Sequence, residues 1–195
     1  MQEPASACPA PPQVAATASL ELQYIFIHIF LEGVMETSET LYDTHTALFE
    51  RILLLAERLI LIGQSEGYFR LSLDSGIIVP LFLVAMKCRD VGLRGRAIML
   101  LRNAPEQEGM WHRDNVLAVA LWKLREEEGS ESSEGVLHSP IPEGDRVHSE
   151  RATTATVHGK QVTLLRFKKG LTDLLTGDKW NEQVVSLPLF MGEML

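Results

Sequence analysis

Large apolar residues recur at helical spacing over most of the chain and at alternating spacing only near its end. Leu20–Met35 is apolar nearly all round, which predicts a helix buried on more than one face. Asp43, Thr44 or Thr46 is placed to cap a second helix that runs to about Ile62. Its Leu48, Ile52, Leu55, Leu59 and Ile62 form one apolar stripe, with Glu50, Arg51, Glu57 and Arg58 off it and Gly63 as the stop. Asp74 and Ser75 precede a third apolar helix, Gly76–Cys88, with Pro80 tolerated in its first turn. Asp90 caps a short helix, Leu93–Arg102, closed by Asn103-Ala104-Pro105. Asp114 opens a last helix, Asn115–Glu128, with Val116, Val119, Ala120 and Leu124 on one face. The period then changes. Arg146–Val157 and Gln161–Lys168 flank His158-Gly159-Lys160 and predict a β-hairpin. Val162, Leu164 and Arg166 fall on one face of it, Thr163, Leu165 and Phe167 on the other.

This pattern divides the chain. Residues 1–19 are Pro- and Ala-rich with almost nothing to bury, which predicts a flexible leader. Residues 20–128 form the helical domain. Glu126–Gly135 is acidic and rich in Ser and Gly, and reads as a solvated linker, with the boundary segment at 129–143. Residues 144–168 hold the hairpin, which must pack on the helices because a lone hairpin is marginal in water. Residues 169–195 carry no consistent period. The expected fold is mainly α: antiparallel packed helices, bundle-like, with a small C-terminal β-hairpin.

At 195 residues and 46% hydrophobic content the chain can bury a core, built from aliphatic residues since aromatics are only 7%. The apolar runs Leu20–Leu31, Ile52–Ile62 and Gly76–Cys88 are each shorter than the ~20 residues a bilayer demands, so no membrane span is expected. A net charge of −8 disfavours general adhesion to nucleic acid or acidic lipid. Two cysteines, Cys8 and Cys88, supply no disulfide framework, and a reducing compartment is expected.

Candidate chemistry is sparse. Six histidines are scattered without ligand spacing, and there is no nucleophile elbow, P-loop or dinucleotide fingerprint. No catalytic residue, cofactor or metal is therefore expected. His28 reads as a hydrogen-bonded core residue. Cys88 has Lys87 and Arg89 beside it, which favours a lowered pKa, but a partly buried helix thiol is the simpler reading. Lys87, Arg89, Arg94, Arg96 and Arg102 make the strongest basic cluster. They form either a phosphate-binding surface or helix-end and ion-pair residues, and the second reading is preferred. Trp111 reads as a residue packing its loop onto the core, and Trp122 as core.

The string from Asp74 to Glu128 carries more information as a pattern. Gly76, Ile78, Pro80, Leu81, Phe82, Val84, Ala85, Lys87, Cys88, Arg89 and Asp90 are followed by Arg96, Ala97, Ile98, Leu100 and Leu101, then by Glu108, Gly109 and Trp111. This resembles the C-terminal part of the effector domain of fungal Zn2Cys6 transcription factors, as do Ile141-Pro142-Glu143 and Arg146-Val147. Val79 stands where the family often has a second proline, and Gly92 and Gly95 depart from its proline or arginine. The family's six-cysteine zinc cluster is absent, so base recognition is not implied. The resemblance implies a nuclear effector module, a fragment or a truncated paralogue. It would act through protein partners of the transcription machinery, self-association or a small-molecule effector, with no direct nucleic acid or membrane contact. The alternative is a cytoplasmic scaffold or dimerisation protein without a transcriptional role.

Overall fold

A computed structural model describes residues 11–36, 38–66, 76–128, 146–157, 160–169 and 181–185. The chain order is α1 (Pro11–Met35), a 3-10 helix (Glu39–His45), α2 (Thr46–Glu66), α3 (Ile78–Lys87) and α4 (Val91–Asn103). Then come β1 (Gln107–Glu108), β2 (Trp111–His112), α5 (Arg113–Glu128), β3 (Val147–Val157), β4 (Lys160–Lys169) and β5 (Asn181–Val185). The protein is mainly α with a small β part, as the periodicity predicts.

The helices gather round one aliphatic core. Leu22, Ile25 and Ile29 of α1 are buried with Phe49, Ile52, Leu53 and Ala56 of α2. Ile78, Leu81, Val84 and Ala85 of α3, Ala97, Ile98 and Leu101 of α4, and Val116 and Ala120 of α5 complete it. β3 and β4 pair antiparallel, as the alternation predicts, with Val157 opposite Lys160, a residue read as part of the turn, and β5 adds a third strand beside β4. Leu165 and Phe167 face inward and Arg166 outward, as alternation requires. Phe167 meets Trp122 edge-on at 5.0 Å between centroids, joining the sheet to α5.

Several expectations are corrected. α1 begins at Pro11, inside the segment read as a flexible leader; a proline pair makes a compatible first turn, and no breaker follows before Gly33. Nor is α1 buried on several faces. Leu20, Tyr24, Ile27, Leu31 and Val34 are exposed. Over Gln13–Met35, 23 residues, α1 is long and apolar enough to cross a membrane by length and composition. The expectation of no such segment rested on the shorter Leu20–Leu31 run. His28 is not a core residue: it is half-exposed, 3.5 Å from Glu32.

The second helix is preceded by a 3-10 turn that Ser38 caps through Thr40 N, so Asp43 and Thr44 lie inside that turn and Thr46 is already the first residue of α2. Asp43 instead pairs with Arg146 at 2.6 Å, tying the start of β3 to the helices. α2 runs through Gly63 to Glu66. Ile52 and Leu55 of the predicted stripe are buried, joined by Phe49, Leu53, Ala56 and Ile60, while Leu48 and Leu59 are only partly covered. Asp90 does cap α4, accepting from Leu93 N at 2.8 Å. Asp74 and Ser75, the 129–143 linker, the His158-Gly159 turn and the Ile141-Pro142-Glu143 motif lie outside the described residues.

Candidate functional site

The basic cluster does not form a surface. Arg89 and Arg94 are among the most deeply buried side chains in the molecule. Arg94 Nη1 lies 2.6 Å from Glu127 Oε2 and its Nε donates to Ala85 O at 2.8 Å. Arg89 Nη2 is 3.1 Å from Glu39 Oε2 and 3.3 Å from Glu127 Oε1. Lys87 Nζ is 2.5 Å from Glu39 Oε1 and 5.2 Å from the Tyr42 ring centroid. Arg96 pairs with Glu57 of α2 at 2.5 Å. Of the five, Arg102 alone is exposed among the described residues with no ion pair in the set above. The phosphate-surface reading fails because each carboxylate is supplied by an element far away in sequence.

Glu127 is the hub of this cluster, and it lies where the predicted helix to Glu128 overlaps the acidic stretch read as a solvated linker. α5 runs to Glu128, so Glu127 is helical. Lys123 Nζ, one turn back, is 3.8 Å away, and Val147 N donates to Oε1 at 2.9 Å. Burial is the largest single influence on the Glu127 carboxyl and opposes its ionisation. Lys123, Arg89, Arg94 and the Val147 N–H together outweigh it and hold the carboxyl below the ordinary carboxylate range. The cluster clamps α3, α4, α5, β3 and the 3-10 helix together. Its groups are occupied with one another, which makes it a structural clamp.

Cys88 is fully buried at the end of α3. Burial pushes its thiol up to about 11, outweighing Arg94 and Arg89. A lowered pKa from its basic neighbours is therefore overturned.

A second unforeseen carboxylate explains much of the remaining motif. Glu108 is buried and accepts three backbone N–H groups at the start of α3: Gly76 at 3.0 Å, Ile77 at 3.0 Å and Ile78 at 2.8 Å. It serves as an N-cap brought from 30 residues downstream, since Ile77 at the cap position makes no side-chain cap bond. Gly76 is needed because a Cβ there would sit 2.6 Å from Glu108 Oε1. Gly109, at φ 54°, turns the chain between β1 and β2, and Trp111 then packs on Phe82 at 6.3 Å. Ile78, Pro80, Ala97, Ile98 and Leu101 are core, and Asp90 is a cap.

Phe82 and Trp111 open onto the cavity that is the best candidate for function. It measures about 630 Å³. α1 contributes Phe26 and Phe30, stacked at 5.9 Å, and α3 contributes Val79, Phe82, Leu83 and Met86. Met110, Trp111, Val116, Val119 and Leu165 close the remaining sides. The polar lining is Lys87, His112 and Asn115. The Asn115 Oδ1 acceptor is buried with no hydrogen-bond partner among the described residues. Volume and apolar walls with few polar groups are those of small-molecule sites. Of the sequence-predicted motif residues only Phe82, Lys87 and Trp111 line it. The others come from elements whose convergence no local pattern announces.

Compared with known proteins, the chain matches no family model and no solved structure. Over 81 residues, 40% of its length, it is 36% identical to the aspercryptin biosynthesis cluster-specific transcription regulator atnN of Emericella nidulans. The match spans 13% of that protein, so the chain corresponds to a small part of its curated relative. Part of the chain is thus similar to a region of a fungal transcription regulator.

Proposed function

We propose that the chain is a transcription-regulatory effector module of the fungal Zn2Cys6 type, working in the nucleus by contact with a small effector or protein and without chemistry of its own. The observation that carries the reading is the partial likeness to a cluster-specific transcription regulator. The apolar cavity supports a sensing role. Its aromatic walls and the unpartnered Asn115 acceptor suit a largely apolar, partly aromatic molecule that carries one hydrogen-bond donor. DNA contact through the basic cluster is not proposed, since four of its five cations face carboxylates.

The test is to fuse the chain to a heterologous DNA-binding domain in a fungal cell and read a reporter. Altered output that Val119→Trp, which fills the cavity, shifts without changing protein level supports the reading. No effect on the reporter from either fusion, with both accumulating, sinks it and favours a scaffold without transcriptional role. That second reading draws on the exposed apolar face of α1.

A further inference from the structure

α1 has two apolar faces, and the domain uses one. Ala18, Leu22, Ile25 and Ile29 are buried, packed with α2. The opposite face carries Leu20 (74% exposed), Tyr24 (72%), Ile27 (50%), Leu31 (58%) and Val34 (63%). These five follow one another at intervals of four, three, four and three residues, a mean of 3.5, which is the period of a coiled-coil seam. The seam is displaced two residues, about 200°, from the buried stripe, so it points straight away from the domain. With Met35 at its end it leaves on the order of 700 Å² of apolar surface in water. A single patch on an ordinary monomer reaches about 300–600 Å². A stable interface takes about 800 Å² from each partner.

We propose that the occupant of this face is a second copy of the chain, α1 against α1 across a two-fold axis at Ile27. The five seam positions are nearly symmetric about Ile27, so an antiparallel partner sets Leu20 against Val34, Tyr24 against Leu31, and Ile27 against itself. Such an interface is isologous, and a self-complementary stripe satisfies it with no further sequence. The electrostatics favour a protein partner over a bilayer. α1 contains no Lys or Arg, and its polar positions include Glu21, His28 and Glu32. Helices that lie on membranes carry Lys and Arg beside the apolar face. Crossing a bilayer would also strip Leu22, Ile25 and Ile29 from α2. The pairing is independent of any transcriptional role.

The test is sedimentation velocity on the full chain across a wide concentration range, with Ile27→Glu and, as a control on another exposed apolar site, Met99→Glu of α4. The expected result is twice the 21.8 kDa chain mass for wild type and Met99→Glu, falling to a single chain for Ile27→Glu with an unchanged melting curve. Ile27→Cys in a Cys8→Ala background keeps the idea testable should Ile27→Glu misfold. A two-fold axis at this residue brings the two Cα atoms within the ~4.4–6.8 Å that a disulfide needs, so air oxidation should yield a covalent dimer. A monomeric wild type at every concentration overturns the proposal, as does a dimer that survives Ile27→Glu. Flotation of monomeric wild type with phosphatidylcholine vesicles, lost in Ile27→Glu, would assign the face to a membrane instead.

Discussion

Replacing Glu108 with Ala removes the acceptor of three N–H groups at the start of α3, two of them, on Ile77 and Ile78, in buried surroundings. Hydrogen bonds to a charged group contribute about 1.5–3 kcal/mol each, and the N–H groups left behind have no water to turn to. Counting the two buried bonds fully and the partly solvated Gly76 bond not at all gives a loss of about 3–6 kcal/mol. Against a typical domain stability of about 5–15 kcal/mol that is a severe effect. Urea unfolding followed by circular dichroism reads it directly, as a lower midpoint at constant slope. Gly76→Ala supplies the sharper arm. Its Cβ would lie 2.6 Å from Oε1 and 3.1 Å from Cδ of Glu108, so it must push the carboxylate off its donors. Gly76 has no positive φ, and backbone strain does not contribute to that cost. In the Glu108→Ala background the obstacle is gone and Gly76→Ala should be close to neutral. The double-mutant cycle should therefore show a coupling of at least about 1 kcal/mol. Additive effects, or a Glu108→Ala loss below about 1 kcal/mol, would refute the long-range cap.

Glu127→Ala should destabilise by about 3–5 kcal/mol in the same assay, because Arg89, Arg94 and Lys123 would keep buried charge without their common partner. The folded-state pKa of Glu127 lies below its unfolded value. Its contribution is thus fully present above an unfolded carboxyl pKa of about 4.3 and is lost as pH falls through the folded value. Melting temperature measured from neutral to acid pH should drop in that window, and Glu127→Gln should flatten this part of the drop. Cys88, buried with its thiol raised to about 11, should resist iodoacetamide at neutral pH in the native protein and react after denaturation. Mass mapping that finds native Cys88 alkylated as fast as an unfolded thiol would contradict its burial.

The sequence by itself determined what is local. Helical periodicity placed α2, α3, α4 and α5 within a few residues of their bounds, and alternation placed the β3–β4 pair and set Leu165 and Phe167 on one face of it, while its register and which face turns inward came from the structure. Asp90 could be read as a cap because its acceptor serves an N–H three residues on. The start of α1 was hidden by composition, since Ala, Thr and Ser after Pro11-Pro12 suit a loose leader as well as a helix. A third strand at Asn181–Val185 needed β4 as its template.

Only the tertiary structure decided which charges are buried and with whom. In the sequence Arg89 and Arg94 are cations among cations, and Glu127 is one acid in an acidic run. Their neutralisation depends on Glu39 and Glu127, 50 and 38 residues from Arg89. Glu108 as the cap of α3, Gly76 as the space for that cap, and the cavity walled by Phe26, Phe82, Trp111 and Val119 have the same origin. The buried and bare faces of α1 belong here too: two apolar stripes of equal quality cannot be ranked until α2 is seen to cover one of them. Apolar spacing is set by the local backbone period and survives in the string of residues. Charge pairing, long-range capping and cavity shape arise where distant segments meet, and that meeting is fixed only by packing.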